Sequence, residues 1–162
     1  MVTPPQQNMN VAPQQNDAVM DQVRRERGAA PDMEVFEILE RTAGARGADP
    51  VAVNNALAKL VNTNPDFRIM RANNTLFAYN NNRDGSIDVS METADTPRAL
   101  VESIGEFCRA VKASGFKTIR FPVGNPQILR AITMAGFYPT TQASGGFMED
   151  GNTPQMIATV EV

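Results

Sequence analysis

Residues 115–139 read GFKTIRFPVGNPQILRAITMAGFYP, and the punctuation of that stretch decides the fold class. Thr118 to Val123 reads as a strand. Asn125 and Pro126 then open a helix, the first as a side-chain cap and the second as a residue whose missing N–H costs nothing in a first turn. Ile128, Leu129, Ile132 and Met134 supply its apolar side, Gly136 closes it, and Phe137 to Gln142 enters another strand. A strand, a helix and a strand in so short a span point to a mixed α/β domain.

Working outward, Thr96 and Pro97 start a preceding helix whose stripe is Leu100, Ile104, Phe107, Cys108 and Val111, and Gly115 ends it. Before it, Phe67 to Arg71, Thr75 to Tyr79 and Ser86 to Met91 read as three strands separated by the turn pairs Asn73-Asn74 and Asp84-Gly85, an antiparallel meander. In the third, Ile87, Val89 and Met91 alternate with Asp88, Ser90 and Glu92, so one face packs and the other meets solvent or a ligand. Two helices come earlier still. One has Asp32, Glu34 and Glu37 in its first turn and Val35, Ile38, Leu39 and Thr42 at helical spacing, with Gly44 as its stop. The other has Asp49-Pro50 at its start and the stripe Val53, Leu57, Leu60 and Val61. At the far end Gln155 to Val162 forms a last strand after a glycine-rich connection, Ser144 to Asn152. The predicted order is ααβββαβαββ over residues 31–162.

Residues 1–30 differ in kind. Pro4, Pro5, Pro13 and a scatter of Gln and Asn leave residues 1–16 with too little apolar surface to offset the entropy of ordering. A disordered or partner-bound tail is expected. Val19, Met20 and Val23, followed by Arg24, Arg25 and Arg27, could form a short amphipathic helix on a protein partner, or a solvated linker.

The 162 residues are 42% hydrophobic and 20% charged with a formal charge of −3, so nothing electrostatic argues for nucleic acid or an anionic membrane as partner. No signal peptide or membrane span is evident, and a cytoplasmic location is expected. The single Cys108, among Ile104, Phe107 and Val111, reads as a buried thiol. With no histidine in the chain, a Ser-His-Asp triad, a Cys-His dyad and an ordinary zinc site are excluded, and no metal site is expected. Acyl transfer from a thioester to an amine fits the carboxylates, tyrosines, lysines and hydroxyls that remain, because a thiolate leaves with little help and positioning supplies much of the acceleration.

The element order, together with Asn125, Gly136 and Phe137 in the stretch quoted above, resembles the GNAT (GCN5-related N-acetyltransferase) superfamily from roughly Glu34 to Val162. The resemblance implies a mixed sheet and an acyl-CoA site. No separate first strand is evident; it is lost or supplied by the tail. A winged helix over Val35 to Tyr79 is the structural rival, without a convincing third helix or a basic recognition face. The family's phosphate-binding loop, Gln/Arg-x-x-Gly-x-Gly/Ala, corresponds to Met91 through Leu100, which has no glycine, adds Glu92 and Asp95, and loses a donor at Pro97. Thr96 and Arg98 remain as phosphate contacts, with Asn125 as a further cofactor-side candidate. The family's proton-donating tyrosine falls on Ile132.

Glu92 is the candidate general base and Tyr138 the replacement acid, set against a solvated strand-end carboxylate and a half-buried sheet tyrosine. Two functions stay open. The first is a catalytically degenerate GNAT-like module for assembly, docking through residues 1–30, with no cofactor; small GNAT-like proteins of tailed bacteriophages suggest a virion component, in a homo-oligomer or larger assembly. The second is an acetyl-CoA-dependent N-acyltransferase acting on a small-molecule or protein amine.

Overall fold

The computed structural model describes residues 34–45, 47–148 and 150–162. The expectations for the tail, for its amphipathic stretch and for a tail-supplied first strand lie outside the described residues. Ten elements follow in chain order: α1 (Val35–Ala45), α2 (Pro50–Thr63), β1 (Phe67–Ala72), β2 (Thr75–Asn81), β3 (Ser86–Thr93), α3 (Pro97–Ala113), β4 (Thr118–Val123), α4 (Pro126–Met134), β5 (Thr140–Phe147) and β6 (Pro154–Glu161). The strands form one six-stranded sheet in the order β1-β2-β3-β4-β6-β5. This is the mixed architecture expected from the sequence, and its parallel β3–β4 pair replaces the winged-helix alternative.

The chain divides into two compact units, one ending at Ala78 and including Met91–Asp95, the other made of Tyr79–Ser90 and Thr96–Val162. In the first, Ile38 and Leu39 of α1 bury completely with Leu76 of β2, and Val35, Val53, Leu57 and Ala94 close around them. Helix α2 begins where Asp49 caps the Val51 amide at 3.0 Å ahead of Pro50, and it buries no residue fully. Only the Val53 and Leu57 part of its predicted stripe joins this core; Leu60 stays 41% exposed.

In the second unit, Leu100, Ile104, Phe107, Cys108 and Val111 of α3 are all buried, as their spacing requires. Phe107 meets Tyr79 edge-on at 5.8 Å and Phe121 at 6.4 Å, so one ring on the helix bridges β2 and β4. The buried thiol of Cys108 is pushed up to about 12 by desolvation, which leaves it protonated and inert as a nucleophile.

The two ends of β5 depart furthest from the sequence reading. Gly136, at φ +99°, donates to the Thr133 carbonyl and Phe137 to that of Ile132, so both residues finish α4. Pro139 has no N–H to pair, and β5 therefore begins at Thr140. It then continues to Phe147 through residues expected to be a loose connection, with a register shift between Ala143 and Phe147 that absorbs the Ser144–Gly146 segment.

Removing the bridging ring should be costly. Phe107→Ala is expected to lower stability by roughly 3–5 kcal/mol in urea unfolding, whereas Cys108→Ser should leave no reactive-thiol function to lose.

Candidate active site at the open end of the parallel strand pair

Strands β3 and β4 run side by side over Ser86–Asp88 and Thr118–Arg120. That end is held by polar side chains: Arg120 Nε donates to Asp88 Oδ1 at 2.8 Å and its Nη2 to Ser86 Oγ at 3.0 Å. The Ser86 hydroxyl in turn donates to Asp84 at 2.6 Å, which helps to hold the Asp84 carboxyl below its ordinary value. An exposed ion pair of this kind adds at most about 1 kcal/mol, so its main effect is to fix register. Within this unit the pairing stops at Asp88 and Arg120, while β4 goes on pairing with β6 to Val123. Pro122 sits in that continuation. Proline is tolerated inside a sheet where one side of the ladder is open, and beyond Arg120 the β3 side of β4 is open. Backbone groups on such an edge can receive an extended, amide-bearing ligand.

The first turn of α3 follows β3 in the chain. Thr96 caps it, its Oγ accepting from the Ala99 amide at 3.3 Å and its carbonyl from Leu100 at 2.8 Å. Pro97 has no N–H. The turn therefore serves itself with one amide and lacks another, leaving the exposed Arg98 as its main donor to an anion. Asn125 does the equivalent for α4, its Oδ1 accepting from Gln127 at 2.9 Å.

Immediately before Asn125 stands Gly124, to which the sequence reading gave no role. A Cβ there would lie 2.5 Å from Met148 Cγ and 3.0 Å from Thr153 Cγ2, so the β5–β6 connection lies directly over the exit of β4. Asp150 holds that connection in shape. Its Oδ1 accepts from the Asn152 and Thr153 amides at 2.8 Å each and its Oδ2 from the Thr153 hydroxyl, which together keep its carboxyl below the ordinary 3.8.

Of the two catalytic candidates, Tyr138 is in the segment between α4 and β5 rather than on a strand, and it is 84% exposed, not half-buried. Ile132, at the position where the resemblance expects the acid, is fully buried. Glu92 is on the last turnless stretch of β3 and partly buried, in the other compact unit. In the same unit Asp95, which the sequence adds where the family places its phosphate loop, is tied to the β1–β2 turn. Asp95 Oδ1 accepts from the Asn74 amide at 3.0 Å and Oδ2 from the Thr75 hydroxyl at 2.6 Å. Thr75 also meets Thr93 Oγ at 2.6 Å, and Thr93 accepts from the Asp95 amide at 3.1 Å. Both carboxylate oxygens are thus committed to the β1–β2 turn. Asp and Asn at turns were the available signal, but the partner is about twenty positions away in the chain. Among the described residues no cluster could hold a metal ion, and no helix is long and apolar enough to cross a membrane.

No family model matches the chain, and no curated protein matches it in sequence. Its backbone is nevertheless similar to solved acetyltransferases. The microcin C7 self-immunity acetyltransferase MccE, in complex with acetyl-CoA and AMP, aligns with a TM-score of 0.56 over 80% of this chain and 86% of its own, at 9% identity. The fold is GNAT-like. A structure from Acinetobacter baylyi ADP1 described as an acetyltransferase gives 0.52 over 79% and 84% at 15% identity. A Chromobacterium violaceum protein assigned to the GNAT family gives 0.50 over 68% and 64% at 15% identity. At such identities it is the path of the backbone that is shared. The GNAT-like order extends from the parallel pair to the final hairpin, and the side chains described above are this chain's own.

Two measurements probe the wall over Gly124. Gly124→Ala should cost roughly 1–3 kcal/mol by urea unfolding, and Met148→Ala in the same chain should recover part of the loss through a double-mutant cycle. Because the Asp150 carboxyl is depressed in the folded state, its contribution is present above pH 3.8 and is lost as pH falls through its lower folded value. The Thr153 amide resonance should stay unchanged down to that range and then move, and Asp150→Asn should abolish the step.

Proposed function

We propose that the chain is an acyltransferase that moves an acyl group from a coenzyme A thioester to an amine, on a small molecule or a protein. The observation that carries this reading is that, within its unit, β4 pairs with β3 only as far as Arg120 and goes on with β6 to Val123, in a fold similar to that of an acetyltransferase held in complex with acetyl-CoA. The fit of such a co-substrate to the residues is uneven. Open backbone groups suit its amide-bearing arm, while the first turn of α3 offers phosphates the Arg98 side chain and the Thr96 hydroxyl but few bare amides. The thioester supplies an activated carbonyl and a leaving group that departs easily.

The remaining work falls to the protein. The amine must be neutral to attack, so a carboxylate that takes its proton helps, and Glu92 is proposed for that role. A C–N bond forms, the C–S bond breaks, and the thiolate takes a proton, from Tyr138 or from water, since Tyr138 is open to solvent. Asn125, as the cap of α4, is proposed to hold that end of the site in place rather than to react.

One observation favours a second reading. The self-capped first turn of α3, without glycine and with Pro97 inside it, is a poor cradle for a pyrophosphate. On that reading the module is catalytically silent, uses residues 1–30 to dock into an assembly, and takes no cofactor. A bacteriophage virion role would be one instance of it, supported by the style of the tail and by nothing in the fold.

Calorimetric titration of the full chain with acetyl-CoA separates the two. Micromolar binding is expected, weakened about tenfold or more by loss of a charge-assisted contact in Arg98→Ala. Glu92→Gln should leave binding intact and lower turnover with amine acceptors. No heat at millimolar acetyl-CoA would replace the enzyme with the silent module.

A further inference from the structure

Of the two helices in the first compact unit, only α1 buries residues fully. Helix α2 turns Val53 and Leu57 toward the core, and even these are only partly covered. On its other sides Val51 is 52% and Leu60 41% exposed, and Ala52 and Ala56 are exposed as well. Ala52, Ala56 and Leu60 follow one another at four-residue steps, so they form one stripe along the helix. Lys59 is the only charge of α2. A surface helix ordinarily sets charges on its outer side, and one that is apolar nearly all round calls for a further cover.

The neighbouring helix shows where that cover is tethered. Helices α1 and α2 pack together, and a connection as short as residues 46–49 returns α2 antiparallel along α1. The start of α1 therefore lies beside the finish of α2. Residues 1–33 join the structure at this end, where Phe36 and Leu60 are both exposed. Residues 28–33 span up to roughly 20 Å when extended, whereas packed helices lie roughly 8–10 Å apart. The tether is long enough for Val19, Met20 and Val23 to reach the stripe.

Charge selects the occupant. A helix over residues 17–27 that folds back on so short a tether runs antiparallel to α1. In that direction Arg24, Arg25 and Arg27 fall beside the exposed Glu34, Glu37 and Glu40 at the start of α1, and Asp17 and Asp21 fall toward the exposed Arg41 near its finish. Only Glu26 and Lys59 run against the pattern. A second copy brings the same charges without the tether, which raises the local concentration of the chain's own segment to the millimolar range or so. We propose that residues 17–27 form a helix on the outer side of the α1–α2 pair, with Val19, Met20 and Val23 over Ala52, Ala56 and Leu60 and the arginines facing the acids of α1. The inference is independent of whether the chain is an enzyme.

Hydrogen exchange and Cα chemical shifts of the full chain test it. Residues 19–27 should show helical shifts and slowed exchange at every protein concentration. Leu60→Asp, at an exposed position, should return them to coil rates while the amides of β1 and β2 keep their protection. Arg24→Glu with Arg25→Glu should weaken the protection several-fold, and adding Glu37→Arg with Glu40→Arg should restore it. Val23→Cys with Leu60→Cys, in a Cys108→Ser background, should close a disulfide within one chain. Coil shifts over residues 17–27 of the wild type would overturn the proposal, and so would protection that survives Leu60→Asp. Strand shifts would place the segment in the sheet instead, and a disulfide formed only between chains would assign the face to a second copy; either result sinks the idea.

Discussion

Phe107 is where one compact unit of this protein is fastened together. Its ring lies on the inner side of α3 with Tyr79 at 5.8 Å and Phe121 at 6.4 Å, so the helix that carries the chain from β3 to β4 is seated on strands on both sides of that crossover. Parallel neighbours need such a crossover, and the helix has to bury its apolar stripe against the sheet it leaves and rejoins. Once Phe107 is seated, β4 follows with Ile119, Phe121 and Val123 buried, and Arg120 emerges between them to meet Asp88 and Ser86. The ion pair sits on the last paired residues of the parallel pair, and Pro122 lies beyond them.

Polar side chains near β3 act mainly as fasteners. Asp95 gives both oxygens to the turn between β1 and β2 and so anchors the end of β3 within its unit. Asp84 and Asp150 shape turns in the same way, which is why both carboxyls are held below their ordinary values. Of the two acids that the chain adds between β3 and α3, Asp95 has both oxygens hydrogen-bonded within its own unit. What α3 lacks is a different matter: its first turn is capped by Thr96 and interrupted by Pro97, and no packing can return the missing amide.

Much of this was legible beforehand where the cause was local. Asp49, Thr96 and Asn125 each precede a proline, and each caps the helix it was expected to cap. The stripe from Leu100 to Val111 buried as its spacing required. The alternation of Ile87 and Val89 with Asp88 and Ser90 also held, then faded from Met91 onward, where all three residues are partly buried. The β5 boundaries failed for a local reason as well: the exit geometry of Gly136 and the missing N–H of Pro139 outweighed the β-propensity of Phe137 and Tyr138. Gly124 escaped notice because nothing in its neighbourhood announces a close approach; Met148 and Thr153 arrive from the final hairpin.

The sequence by itself determined the order of helices and strands, the caps at Asp49, Thr96 and Asn125, and the exclusion of histidine chemistry, because periodicity, capping and composition act within a few residues. The tertiary structure alone decided that Asp95 is spent on Asn74 and Thr75, that Tyr138 stands in solvent, that β5 has no buried face, and that Gly124 is covered. Each of these depends on groups brought together from distant parts of the chain or on the lack of a neighbour to cover them. Hydrogen bonds and burial are set by distance in space, and a linear pattern holds no record of that until the sheet has formed.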